Sequence, residues 1–186
     1  MPVYFEIVLG IKEIPPGSKI YRRDAVRGFV INDRNEIFMI HTSKGDYKFP
    51  GGGIEDGENH FDALNREFAE ETGYEITGNT ELIGMVIEQR PDAYEPGAFF
   101  VMTSYYYRCE IIGEYKGQKL DEYEKELDFR GEYVPVLTAY RQNLHLINSG
   151  TDINPWVKRE KIVLENIIRI FGINGSIEKV NSGLQK

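Results

Sequence analysis

Short runs of alternating or continuous apolar character dominate the chain, and one stretch departs from them with a helical repeat. Val3 to Ile11 mixes β-branched and aromatic residues and predicts a strand that Pro15, Pro16 and Gly17 end. Ala25 to Asn32 (AVRGFVIN) and Glu36 to His41 (EIFMIH) are strand-like, and Asp33, Arg34 and Asn35 between them signal a hairpin. A short strand over Asp46 to Phe49 leads into Pro50 and three glycines. Glu81 to Gln89 and Phe99 to Ile112 are again strand-like, joined by a loop holding Pro91 and Pro96. Leu120 to Leu127 (LDEYEKEL) reads as a short helix or an ordered loop, Glu132 to Val136 as a strand and Leu137 to Ile147 as a helix. Trp156, Val163, Ile167, Ile168 and Phe171 recur at helical intervals and predict a last helix with Pro155 in its first turn. The tail from about 173 is polar and is expected to be mobile.

The exceptional stretch is Gly51 to Tyr74, GGGIEDGENHFDALNREFAEETGY. Asn59 is the expected N-cap, Asp62 three residues on approximates a capping box, and Gly73 is a left-handed stop. The helix is therefore predicted from about His60 to Thr72. At roughly 100° per residue, Phe61, Leu64 and Phe68 form one apolar stripe, with Glu67, Glu70 and Glu71 along its edge. Like charges at these spacings cost roughly 0.2–0.5 kcal/mol per pair, and carboxylates here also face the negative end of the helix dipole. Arg66, four residues before Glu70, supplies one partner. It cannot satisfy three carboxylates, so a bound divalent cation is the economical expectation.

Strands outnumber helices and the helices lie between them, which predicts an α/β (α+β) fold with a mixed central sheet covered on both faces. At 186 residues, a single domain over 1–186 is expected. With 41% hydrophobic and 28% charged residues the composition is that of a globular protein, and no apolar run approaches a membrane span. Glu6 interrupts the apolar start and no basic segment precedes it, so a cytoplasmic location is expected. The lone Cys109 excludes an internal disulfide, and the scattered His41, His60 and His145 disfavour a zinc site. A net charge of −8 argues against a nucleic-acid duplex as partner but allows a small phosphorylated substrate brought in with metal.

Gly52, Glu58, Arg66, Glu67, Glu70, Glu71, Gly73 and Tyr74 stand as G-x5-E-x7-R-E-F-x-E-E-x-G-Y over 23 residues. This resembles the signature of the Nudix hydrolases, G-x5-E-x7-R-E-U-x-E-E-x-G-U, where U is bulky and aliphatic. All charged and glycine positions match, while Phe68 and Tyr74 are aromatic at the U positions. The resemblance implies an α/β/α sandwich and metal-dependent hydrolysis of a diphosphate linkage in a nucleotide, with Mg²⁺ (or Mn²⁺ in its place) as cofactor. A hard cation of this kind prefers carboxylate oxygens together with substrate phosphates.

By that resemblance Glu67, Glu70, Glu71 and the Gly51 carbonyl are the metal ligands, and Glu58 supports them. Arg66 orients the glutamates, and Glu70 and Glu67 take part in the chemistry. The general base is a box glutamate or a later carboxylate, with Glu126 the first candidate and Glu124 the second. Lys48, Gly52 and Gly53 are candidates for contact with a substrate phosphate. Phe99, Phe100, Tyr105, Tyr106 and Tyr107 offer either a stacking surface for a base or ordinary cross-strand packing. A nucleoside triphosphate or related nucleotide is the leading substrate. ADP-ribose or another nucleotide sugar is the alternative, since Pro91 lies near a spacing associated with ADP-ribose cleavage. A non-catalytic nucleotide sensor is a reading of a different class. A homodimer is compatible with the sequence without following from it.

Overall fold

The computed structural model describes residues 4–173. In chain order its elements are β1 (Phe5–Gly10), β2 (Ile20–Phe29), β3 (Glu36–His41), β4 (Tyr47–Lys48), α1 (His60–Thr72), β5 (Glu75–Ile76), β6 (Glu81–Pro91), β7 (Phe99–Arg108), β8 (Ile111–Ile112), α2 (Glu122–Glu126), β9 (Arg130–Pro135), α3 (Val136–Ser149) and α4 (Val157–Ile170). The main sheet runs β1-β6-β7-β2: β6 and β7 are antiparallel, while β1 joins β6 and β2 joins β7 in parallel. A second sheet sets β3 between β4 and β9, all antiparallel, and β5 pairs with β8. The expected α/β fold, with a mixed sheet and helices on both sides, is what the chain adopts. The tail expected to be mobile lies almost wholly outside the described residues.

Helices α3 and α4 cover one side, where Phe29, Phe49, Val86, Tyr106, Leu164 and Ile167 form the largest core cluster. The other side is closed by α1, whose Leu64 and Phe68 pack with Val26, Phe38 and Cys109. The apolar stripe read from the sequence is therefore the docking face, although Phe61 is only partly buried. The Cys109 thiol is buried, and burial pushes its pKa up to about 12, as befits inert filling. Among the described residues no helix is long and apolar enough to cross a membrane.

The hairpin expected between Ala25–Asn32 and Glu36–His41 forms, but only as a short one: Asn32 N–H donates to Glu36 O at 3.0 Å and Phe38 N–H to Val30 O at 2.9 Å. Ile31 and Ile37 make one antiparallel bridge, after which β2 and β3 diverge into different sheets. The reason is competition for an edge. The side of β2 away from β7 is taken by the segment after β4: Gly28 N–H donates to Pro50 O at 2.8 Å, Val26 N–H to Gly52 O at 3.0 Å and Ile54 N–H to Asp24 O at 3.0 Å. Backbone groups on a strand edge must find partners, and here the glycine turn supplies them.

Candidate functional site

The glycine turn is thus stitched to the sheet before α1 begins. Gly51 has φ +136°, and a Cβ there would collide with the Val26 carbonyl, so only glycine fits. Its carbonyl oxygen accepts a hydrogen bond from Arg27 Nη1. A Cβ on Gly52 would overlap the Glu67 carboxylate, which shows how closely the turn and the acidic edge of α1 approach.

The helix itself spans His60–Thr72 as predicted. Asn59 caps it, accepting from Asp62 N–H at 3.0 Å, and Gly73 stops it at φ +77° with its N–H on Ala69 O. Asp62 does not complete a capping box. Its carboxylate accepts from the Asn59 side-chain amide at 2.6 Å instead of from the Asn59 backbone.

Arg66 is the tie between turn and helix. Its Nε and Nη2 each donate to one Glu58 oxygen at 2.9 Å, a bidentate fork, and Nη2 also reaches Gly53 O at 3.1 Å. Its Nη1 donates to Glu67 at 2.8 Å, whereas the expected contact with Glu70 is the longest of the set at 3.5 Å. The fork holds the Glu58 carboxyl below its ordinary pKa and the guanidinium above its own. Burial raises the Glu67 pKa, with Arg66 acting in the opposite sense.

Glu71 is almost fully buried and accepts from Gly51 N–H at 2.9 Å and from Lys48 Nζ. The Lys48 ammonium, which the sequence offered for contact with a substrate phosphate, is here directed at Glu71. It is buried, paired with Glu71 and 4.5 Å from the centre of the Phe129 ring. The two residues of β4 could not reveal that the rings of Phe129 and Trp156, far along the chain, would close over it. Glu70 keeps the most exposed of the three box carboxylates.

The segment Leu120–Leu127 forms the short helix α2, closed by a reciprocal capping box between Asp121 and Glu124. Glu124 is half-buried, and its pKa is pushed up to about 6, first by burial and further by the nearby Glu71 charge. Glu126 is exposed. Of the aromatic strand, Tyr106 lies in the core with its hydroxyl 3.1 Å from Glu160, and Tyr105 and Tyr107 pack on His60. Phe100 carries the Arg90 guanidinium 4.7 Å above its ring.

Among the described residues no three His, Cys, Asp or Glu side chains converge as a ligand group. Glu67 is turned to Arg66, Glu71 to Lys48, and the Gly51 carbonyl to Arg27. The chemistry nevertheless fits a hard divalent cation: the donors are all oxygens, Glu67 is desolvated, and the turn meets its carboxylate directly. Sequence reasoning missed four arginines that lie next to this site without being part of it. Arg23, Arg27, Arg90 and Arg159 line a cleft of about 540 Å³ beside the turn. Arg23 and Arg27 lie four apart on a strand and so share a face, but the neighbouring strands were not legible.

The sequence model of the NUDIX domain family matches residues 21–150. An 8-oxo-dGTP diphosphatase of Proteus vulgaris is 32% identical over 83 residues, 42% of this chain and 73% of that protein. Among solved structures, a MutT from a study of Aliivibrio salmonicida and Vibrio cholerae superimposes with a TM-score of 0.50 at 20% identity, covering 81% of this chain and 100% of that one. A NUDIX hydrolase from Nitrosomonas europaea superimposes with a TM-score of 0.52 at 17% identity, covering 80% and 90%. At these identities the structural likeness is one of fold.

Proposed function

The chain belongs to the NUDIX domain family and is a pyrophosphohydrolase, and we propose that it hydrolyses a nucleoside triphosphate or a related nucleoside diphosphate derivative with Mg²⁺. Enzymes of this family generally use divalent metal ions. The observation that carries the reading is the contact between the acidic edge of α1 and the glycine turn, fixed by the Arg66–Glu58 fork.

In this reading Glu67, Glu70, Glu71 and the Gly51 carbonyl hold the ion. When bound, it neutralises phosphate oxygens and lowers the pKa of a water molecule. Arg66 and Glu58 orient Glu67 and brace the turn. Lys48 positions Glu71 and does not touch substrate, while Gly52 and Gly53 let phosphate approach the backbone. Glu124 takes the place of Glu126 as the candidate general base. It lies close enough to Glu71 and Lys48 to feel both charges, and a pKa of about 6 suits proton transfer near neutrality.

The test is a screen of purified protein with Mg²⁺ or Mn²⁺ against nucleoside triphosphates, 8-oxo-dGTP, ADP-ribose and dinucleoside polyphosphates, with products identified in ¹⁸O-labelled water. A nucleotide is expected to be cleaved at a diphosphate linkage, with chelator abolishing turnover. Glu70→Gln is expected to lower kcat by about 10³, or ~4 kcal/mol of transition-state stabilisation. Absence of metal-dependent turnover across the panel would refute the proposal.

A further inference from the structure

The sheet face beneath α4 changes character along its length. Over its middle it is apolar, with Phe29, Val86 and Tyr106 packed together with Leu164 and Ile167. Towards the start of α4 the same strand faces continue as Arg27 and Arg23 on β2, Arg90 on β6 and Phe100 on β7. Trp156 and Arg159 contribute the helix side of the resulting cleft, whose volume is that of a small-molecule site. One end abuts the glycine turn. Arg27 donates to the Gly51 carbonyl, and a Cβ on Gly53 would stand 2.6 Å from Arg23 Nη2.

The cations here exceed their counter-charges. Arg159 is buried and bonds Glu88 and Glu160, each at 2.7 Å. Among the described residues Arg23 and Arg90 form no ion pair, and the buried Nε atoms of Arg27 and Arg159 have no hydrogen-bond partner. Burial and the nearby Arg159 charge lower the Arg27 pKa. A guanidinium stays charged regardless, so an anion is what relieves the crowding. This concentration stands out in a chain of net charge −8. Arg90, stacked on Phe100, and Arg23, laid over Gly53, are pre-positioned by packing while their donors remain uncommitted.

We propose that this cleft is a specificity subsite for a phosphate group beyond the scissile diphosphate, so that the enzyme selects substrates with an oligophosphate chain. The proposal rests on the pyrophosphohydrolase reading of the adjoining site. Arg23 and Arg90 are the specificity-determining contacts, and Arg27 and Arg159 shape the wall between them and the turn.

Two measurements test it. Hydrolysis of dinucleoside polyphosphates with identical adenosine ends and increasing phosphate number is followed with Mg²⁺. Inorganic tripolyphosphate is titrated calorimetrically into the metal-free protein. The native protein is expected to favour the tetraphosphate over the diphosphate in kcat/KM, by about 10- to 100-fold. The Arg23→Ala/Arg90→Ala variant, both positions being exposed, is expected to keep the native circular dichroism and its turnover of the diphosphate. It loses the preference through KM and binds tripolyphosphate more weakly by a similar factor. A native enzyme indifferent to chain length, or a variant with the native preference and native tripolyphosphate affinity, overturns the proposal. Arginine-dependent tripolyphosphate binding without hydrolysis of any substrate would uphold the cleft and reject the reaction.

Discussion

At Arg66, one planar guanidinium satisfies Glu58 with two parallel bonds, reaches the Gly53 carbonyl and still contacts Glu67. A lysine is a point charge and cannot reproduce the fork. Arg66→Lys is therefore expected to lower kcat about 10- to 100-fold and to weaken metal affinity, as loss of an orienting partner does; steady-state kinetics across a metal titration measures both. Glu124 offers a test by pH. Its folded pKa of about 6 lies above the ordinary 4.5, so the fold favours its protonated form and the carboxylate appears only as pH rises through about 6. A base must be deprotonated to act, so kcat is expected to fall as pH drops through that value. In Glu124→Gln that acid limb disappears along with most of the activity, whereas Glu126→Gln retains both. The same limb in both variants would remove Glu124 from the role. That contrast was out of reach of the sequence, because the two glutamates differ only in which side of a five-residue helix they occupy.

Among the elements, α1 was legible almost to the residue because its signals are local: an asparagine cap, an apolar stripe and a glycine stop. The stop is also a packing site, since a Cβ on Gly73 would run into the Tyr115 ring. Gly73→Ala is expected to cost at least about 1–2 kcal/mol for the left-handed backbone alone, with Tyr115 displaced in addition; the urea midpoint reports it. The turn before α1 was legible as glycines, yet its partner was not. The hairpin signal at Asp33–Asn35 was right for the turn but carries no information that a later segment will claim the β2 edge, so the pairing with β3 ends at Val30 and Phe38. The partners of Lys48 were hidden for the same reason. Its own two-residue strand says nothing of the ring of Phe129 or of Glu71, which lie far along the chain.

For the molecule as a whole, the Lys48–Glu71 pair is the test of how the layers are joined, because β4 and α1 meet through it with both side chains buried. Removing one partner strands a buried charge. Lys48→Met is expected to destabilise by about 3–5 kcal/mol, read by chemical denaturation, and the double variant Lys48→Met/Glu71→Gln to recover a large part of that. A Lys48→Met protein as stable as the native one would show that the pair does not join the layers. The sequence by itself determined the α/β class, the extent of α1, and the set of carboxylates and glycines that could meet. Those follow from periodicity, capping and residue chemistry within one short stretch. Only the tertiary structure decided which cation each carboxylate faces, which of two α2 glutamates approaches the site, and that four arginines from β2, β6 and α4 gather beside the glycine turn. The physical reason is that burial and electrostatic partnership depend on contacts between residues distant in the chain. Strand order and helix docking set those contacts, and no local pattern encodes them.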